Sequence, residues 1–126
     1  MSQVEKTGEY WLLAQKCNLV LQEDKIRFAA IITKLGKMVA GGFKEDVTPL
    51  VDSAELQKMY LELALRVSMR QEFDYCLGPV KYSTSRREKA TLLSFPIGSN
   101  ILLVSAEPTV QTDIIAGKIM KIMGIT

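Results

Sequence analysis

Two short stretches, "RFAAII" at residues 27–32 and "NILLVSA" at residues 100–106, constrain the fold more than anything else in this chain. Successive side chains of an extended strand point to opposite faces of its sheet. In the first stretch Ile26, Phe28, Ala30 and Ile32 alternate with Arg27, Ala29 and Ile31, so both faces are mostly apolar. The second stretch is apolar on both faces too. Strands of this kind belong in the middle of a sheet whose two faces are both covered by helices.

The flanking sequence supplies those helices. "EYWLLAQKCNLVLQ" places Tyr10, Leu13, Ala14, Cys17, Val20 and Leu21 on one face at helical spacing. After the first strand, Lys34-Leu35-Gly36 makes a turn and Met38 to Phe43 returns, with Gly41-Gly42 marking a bulge or a close backbone approach. "KEDVTPLV" is a loop. Asp52 as N-cap, Glu55 at the third helical position, and Val51 with Leu56 as a hydrophobic staple then open a long helix expected to run to about Phe73. Gly78-Pro79 ends it, and the strands "VKYSTS", "KATLLSFP" and "NILLVSA" follow, the last two joined by Gly98-Ser99-Asn100. Pro108 and Asp113 flank a final helix with Ile115, Ile119, Ile122 and Met123 on its packing face. The order α-β-β-α-β-β-β-α predicts an α/β (α+β) sandwich with a five-stranded antiparallel sheet. No linker, repeat or low-complexity tract divides it, so residues 1–126 are read as a single domain.

Composition narrows the function. The chain has 126 residues, 48% of them hydrophobic and 24% charged, with a formal net charge of +2. That charge is too small to imply a nucleic-acid or membrane surface without a local patch. No apolar run reaches the roughly 18–20 residues of a membrane span, and Met1 to Glu9 has no apolar core of the kind a signal peptide carries. A cytoplasmic location is the expectation. There is no histidine, which removes the Ser-His-Asp triad, the Cys-His pair and nearly all zinc and non-haem iron sites. The two cysteines, Cys17 and Cys76, are far apart and outside any Cys-x-x-Cys pair. Cys17 reads as a small core residue, and Cys76, ending a helical stretch, as partly exposed. No metal or cofactor is expected, and no catalytic residue is assigned.

The middle helix has one apolar face too many. At 100° per residue, Leu56, Met59, Tyr60, Leu63 and Val67 form a stripe of the width that docks on a sheet. Ala54, Leu61, Leu65 and Met69 form a second stripe on the opposite side, with Glu62, Arg66 and Arg70 on the margin. A helix on a monomer's surface needs one stripe. Either the loop "KEDVTPLV" folds over the second, or the same helix of a second copy covers it about a two-fold axis. The second copy is preferred.

The element order, the two-stripe middle helix and the short strand after it resemble the roadblock / dynein light-chain domain, from about Tyr10 to Met123. That resemblance implies that the second and third strands form the sheet edges, so that "VKYSTS" is an edge strand with Lys81 guarding it. It also implies dimerisation through the middle helix and the third strand, which carries over to Leu61, Leu65 and Met69 on the helix and to Val80, Tyr82 and Thr84 on the strand. The implied role is a non-enzymatic scaffold or regulator, in some relatives acting on small GTPases or on motor and signalling complexes. The chain departs from the family in turning its first hairpin with Leu35-Gly36 and in the longer loop "GGFKEDVTPL". "LGPVKYSTSRREKATLLSFP" with "ILLVSAEP" also resembles an uncharacterised family of small proteins from ammonia-oxidising archaea, which brings no known activity.

"SRREK", residues 85–89, is the densest run of charge. As the connection between the third and fourth strands it is a solvated bend; as a site, Arg86, Arg87 and Lys89 beside Lys81 and Tyr82 make a small anion-binding corner for carboxylate or phosphate. Nucleic acid is the weaker variant. Gly36-Lys37 lacks the other glycines and the Ser or Thr of a phosphate-binding loop. Glu45, Asp46 and Asp52 read as loop and cap residues, and Met59, Met69, Met120 and Met123 as packing. A different class of function, a small-ligand sensor of profilin-like or PAS-like type, would require an apolar pocket near Trp11 and Phe28.

Overall fold

The computed structural model describes residues 3–125, with side chains described from Tyr10 onward. The N-terminal reading over Met1 to Glu9 therefore lies in part outside the described residues. The chain runs α1 (Gln3–Leu21), β1 (Ile26–Thr33), β2 (Met38–Phe43), α2 (Ser53–Gln71), α3 (Asp74–Leu77), β3 (Ser83–Arg86), β4 (Thr91–Ile97), β5 (Asn100–Ala106) and α4 (Thr112–Met123). The strands form a five-stranded antiparallel sheet in the order β2-β1-β5-β4-β3. The two strands that are apolar on both sides, β1 and β5, lie inside it, next to one another. This is the roadblock-like α/β sandwich that the sequence implies.

Alternation along β1 and β5 divides the core into two layers. On one face Ala29, Ile31, Leu102 and Val104 pack with Cys17 and Val20 of α1 and with Ile115, Ile119 and Met123 of α4. On the other, Phe28, Ala30, Ile32, Ile101 and Leu103 pack with Tyr60, Leu63, Ala64 and Val67 of α2. Phe28 anchors that layer, with its ring centroid 4.7 Å from Phe43 and 6.4 Å from Tyr60. The buried strand residues in the α2 layer come from β1 and β5, with Phe43 of β2 packed against them, so α2 leaves the β4–β3 side of its face of the sheet open.

Local chemistry accounts for the boundaries. The Asp52 carboxylate accepts the Glu55 N–H at 2.8 Å, which makes it the N-cap of α2. At the far end of the chain Gly124 closes α4 in the left-handed conformation, φ 72°. The β1–β2 turn is tied by Gly36 N–H to Thr33 C=O at 2.9 Å and by Thr33 N–H to Lys37 C=O at 2.8 Å.

Of the two alternatives for Gly41-Gly42, Gly41 is a point of close backbone approach, while the bulge in the β1–β2 ladder falls at Val39, where the register shifts between Ile31 and Ile32. Three details differ from expectation. The middle helix stops at Gln71 and is followed by the short α3, which the sequence pattern does not separate from it. The third strand begins at Ser83 rather than Val80. Ser83 pairs with Ser94, and continuing that register would set Lys81 opposite Pro96, which has no N–H to give. Finally, Trp11 and Phe28 do not share a pocket: Trp11 is 59% exposed on α1, while Phe28 is buried in the layer beneath α2.

Candidate functional site: the outer face of α2, the β3 edge and the cleft between them

The residues that α2 turns away from the sheet are bare. Leu61, Leu65 and Met69 are 51%, 60% and 65% exposed, whereas Tyr60, Leu63 and Val67, one to two residues away, are buried. The loop at residues 44–51 leaves them exposed; its Leu50 and Val51 line the cleft on the other side of α2, as do Leu56 and Met59. The β1–β2 turn sits against the helix so closely that a Cβ on Gly36 would come within 2.8 Å of the Leu61 Cα. On the flank, Arg66 clamps Glu62 one turn away through two hydrogen bonds of 2.7 and 2.8 Å.

The apolar surface extends past the helix end. Phe73, Tyr75 and Leu77 are also largely exposed, on and just before α3. Sequence reasoning misses this extension because "FDYCL" reads as the fading end of α2. Three large apolar side chains within five residues of a Gly-Pro stop are the signal that could have found it.

β3 is the outermost strand on its side of the sheet and is only four residues long. Of the residues assigned to a strand interface, Val80 and Tyr82 precede the strand, both half-buried, as does the expected edge guard Lys81, which is exposed. Thr84 is exposed and pairs with Leu93, which packs in the α1/α4 layer. Tyr82 is turned to that same layer: its ring centroid lies 5.9 Å from Phe95 and its hydroxyl donates to the Asp113 carboxylate. That hydrogen bond, with the negative charge behind it, pushes the Tyr82 hydroxyl above its ordinary pKa. Tyr82 and Thr84 thus face away from α2, and pairing along this edge would run through backbone groups.

The arginines of "SRREK" separate by strand alternation. Arg86 points to the α4 side, where its guanidinium donates to the carbonyls of Pro108 and, at 2.7 Å, of Val110. It clasps the loop before α4 and is not a free cation at the bend. Arg87 begins the turn, its N–H donating to the Ala90 carbonyl at 2.9 Å, and Arg87, Glu88 and Lys89 are exposed. These three help to line a cleft of about 1060 Å³ between α2 and the β3–β4 side of the sheet, which α2 leaves open. Arg27, also at this cleft, donates to the Thr48 carbonyl at 3.0 Å.

Elsewhere the chemistry is quiet. Among the described residues no group of three His, Cys, Asp or Glu side chains is placed to hold a metal ion. Cys17 and Cys76 are both free thiols; burial pushes Cys17 up to about 11, and Cys76 is exposed. Burial likewise raises Tyr60. No described helix is long and apolar enough to cross a membrane.

A model of a protein family described as a family of unknown function (DUF6659) matches residues 6–126. The chain belongs to DUF6659. This DUF6659 chain is also similar to solved structures with the roadblock fold. The MglB gliding protein of Thermus thermophilus superimposes with a TM-score of 0.71 at 15% identity, over 90% of this chain and 87% of that one. MglB of Myxococcus xanthus gives 0.70 at 13% identity, over 92% of each chain. A Roadblock/LC7 domain from Streptomyces avermitilis gives 0.67 at 10% identity, over 88% and 91%. At these identities the likeness establishes the fold. No curated protein matches the DUF6659 sequence significantly.

Proposed function

We propose that this protein is a non-enzymatic, homodimeric interaction module in which α2 and β3 of two copies meet. The observation that carries the reading is the bare stripe of Leu61, Leu65 and Met69 on a helix whose other face already packs on the sheet through Tyr60, Leu63, Ala64 and Val67. Burying such side chains is worth roughly 1.5–3 kcal/mol each, and leaving three of them in water in one strip makes an adhesive surface. The exposed Phe73, Tyr75 and Leu77 lengthen the strip, and β3 lies at the sheet edge with no strand beyond it. A second copy satisfies both features under one two-fold axis. Val80, Tyr82 and Thr84 then lie along the seam, with the strands joined by backbone hydrogen bonds.

The partner class implied by the roadblock resemblance is a small GTPase or a signalling or motor complex, and the likeness to two MglB structures, one of them a gliding protein, supports the fold on which that resemblance rests. Arg87 and Lys89, with Lys81 before the strand, remain candidates for an acidic partner surface; Arg86, already committed to two carbonyls, is not. A cytoplasmic location suits this role. Sedimentation velocity from about 1 to 100 μM tests the self-association, for which the affinity of a stable interface predicts a dimer throughout; a monomer across the whole range contradicts it.

A second reading, the small-ligand sensor, is favoured by one observation: the cleft beside α2, at about 1060 Å³, is slightly larger than the roughly 300–1000 Å³ typical of ligand pockets. Its location is the α2 face and not the neighbourhood of Trp11.

A further inference from the structure

The sheet face that lines the cleft carries four serines beside Leu92 and Leu103. Ser83 pairs with Ser94, and Ser94 with Leu103; one row along, Ser85 pairs with Leu92, and Leu92 with Ser105. Leu103 packs under α2, so alternation puts all four serines on the α2 side, in the strip that α2 does not reach. All four line the cleft. Ser94 is buried, only 6% exposed. The side-chain hydrogen bonds among the described residues leave the four hydroxyls unengaged. Small side chains there leave the volume open while presenting donors and acceptors across it.

The charged lining is mostly cationic. Glu62 and Arg66 on the α2 wall neutralise one another, and Arg86 is turned to the other face. What remains is Arg27, Arg87 and Lys89 against Glu88. No ion pair occupies Arg27, Arg87 or Lys89 among the described residues. Phe28, Met59 and Leu63 add apolar lining. Forked guanidinium donors suit an oxyanion, and hydroxyls on the sheet floor suit a hydroxylated body. The volume exceeds what a bare phosphate needs.

We propose that this cleft binds a small anionic metabolite-sized ligand, an oxyanion group attached to a hydroxyl-rich body, with the anion at Arg87 and Lys89 and the hydroxyls on the serine floor. The proposal rests on the second reading above, that the cleft is a ligand site, and gives that site its ligand class. The oxyanion is a phosphate or a carboxylate, and the probes separate the two.

Calorimetric titrations of the full chain with glucose 6-phosphate, gluconate, inorganic phosphate and glucose, at matched ionic strength, test it. Saturable binding of glucose 6-phosphate or gluconate, at least about tenfold tighter than glucose and inorganic phosphate, is expected, since each set of contacts adds to the other. Arg87→Ala with Lys89→Ala weakens that binding about tenfold or more without altering the thermal midpoint, whereas Lys34→Ala leaves it unchanged. Glucose binding as tightly as the anions overturns the ligand class but leaves the cleft a ligand site. Binding of none of the four probes, or binding indifferent to Arg87 and Lys89, overturns the proposal. In a Cys76→Ser background, a thiol reagent should label Ser85→Cys in the dimer; complete protection there means that a second copy fills the cleft, and both the proposal and the ligand-site reading fall.

Discussion

The guanidinium of Arg86 donates to the carbonyl of Val110, 24 residues further along the chain, at 2.7 Å. With its second contact, to the Pro108 carbonyl, it fastens the outer end of the sheet to the segment that launches α4. Hydrogen bonds to a charged donor are worth about 1.5–3 kcal/mol, and the loss leaves two carbonyls without this partner. Arg86→Ala should lower the urea unfolding free energy by roughly that amount. Arg87→Ala, one residue on and exposed, should stay within about 0.5 kcal/mol. Equal effects of the two substitutions would show that the clasp does not contribute.

Gly41 marks the close approach of β2 to β1. Its φ is +88°, and a Cβ there would stand 2.1 Å from the Ala29 carbonyl oxygen and 2.7 Å from the Ala30 Cα, both of them backbone. Gly41→Ala must therefore open the ladder as well as adopt a backbone conformation that alanine disfavours. A loss of about 2–4 kcal/mol is expected from the combined strain and displacement. Gly98→Ala, where φ is +57° and nothing lies within 4 Å, should cost only the conformational part, about 1 kcal/mol. Thermal unfolding of the two variants side by side checks the ranking.

Stability should decline on the alkaline side. Cys17 is raised from 9.0 to about 11 by burial, so between those values the unfolded chain ionises while the folded chain holds its proton. The folded state then binds more protons, and stability falls as pH rises. The contribution is complete below pH 9 and is lost progressively through about pH 11. Tyr82 and Tyr60, both raised above 10.0, add to the decline at higher pH. Urea midpoints at pH 8, 9, 10 and 11 (the range bracketing these groups) should fall monotonically, and Cys17→Ala should flatten the first part of the curve.

The two thiols should differ sharply in reactivity. Cys76 is exposed and Cys17 is fully buried, so an aromatic disulfide reagent at neutral pH should modify one thiol quickly and the second only on unfolding. Modification of both at the same rate would mean that the α1 layer opens readily.

Much of this architecture is legible in the sequence because it is written in burial. Strands that are apolar on both sides cannot sit at an edge, which places β1 and β5 inside the sheet, and the second stripe of α2 is visible from spacing alone. The N-cap at Asp52 is legible because capping is local chemistry. Partnerships between distant segments are not. Nothing in "SRREK" says that Arg86 will turn to Val110 while Arg87 stays at the bend; that follows from which residue of β3 pairs with which of β4. The late start of the third strand depends on Pro96 across the ladder. The cleft depends on where α2 lies over the sheet, which no periodicity encodes, and the serines on its floor come from three strands.

The central claim is that Leu61, Leu65 and Met69 are bare because a second copy covers them. The most direct test is light scattering on wild type and Leu65→Arg at about 20 μM, a concentration well above the dissociation constant of a stable interface. Leu65 is 60% exposed in the single chain, so the substitution should leave the circular-dichroism spectrum and the monomer's fold intact. The account predicts a mass twice that of the 14.1 kDa chain for wild type and a single-chain mass for the variant. A wild type that scatters as a monomer, or a variant that remains a dimer, would contradict it.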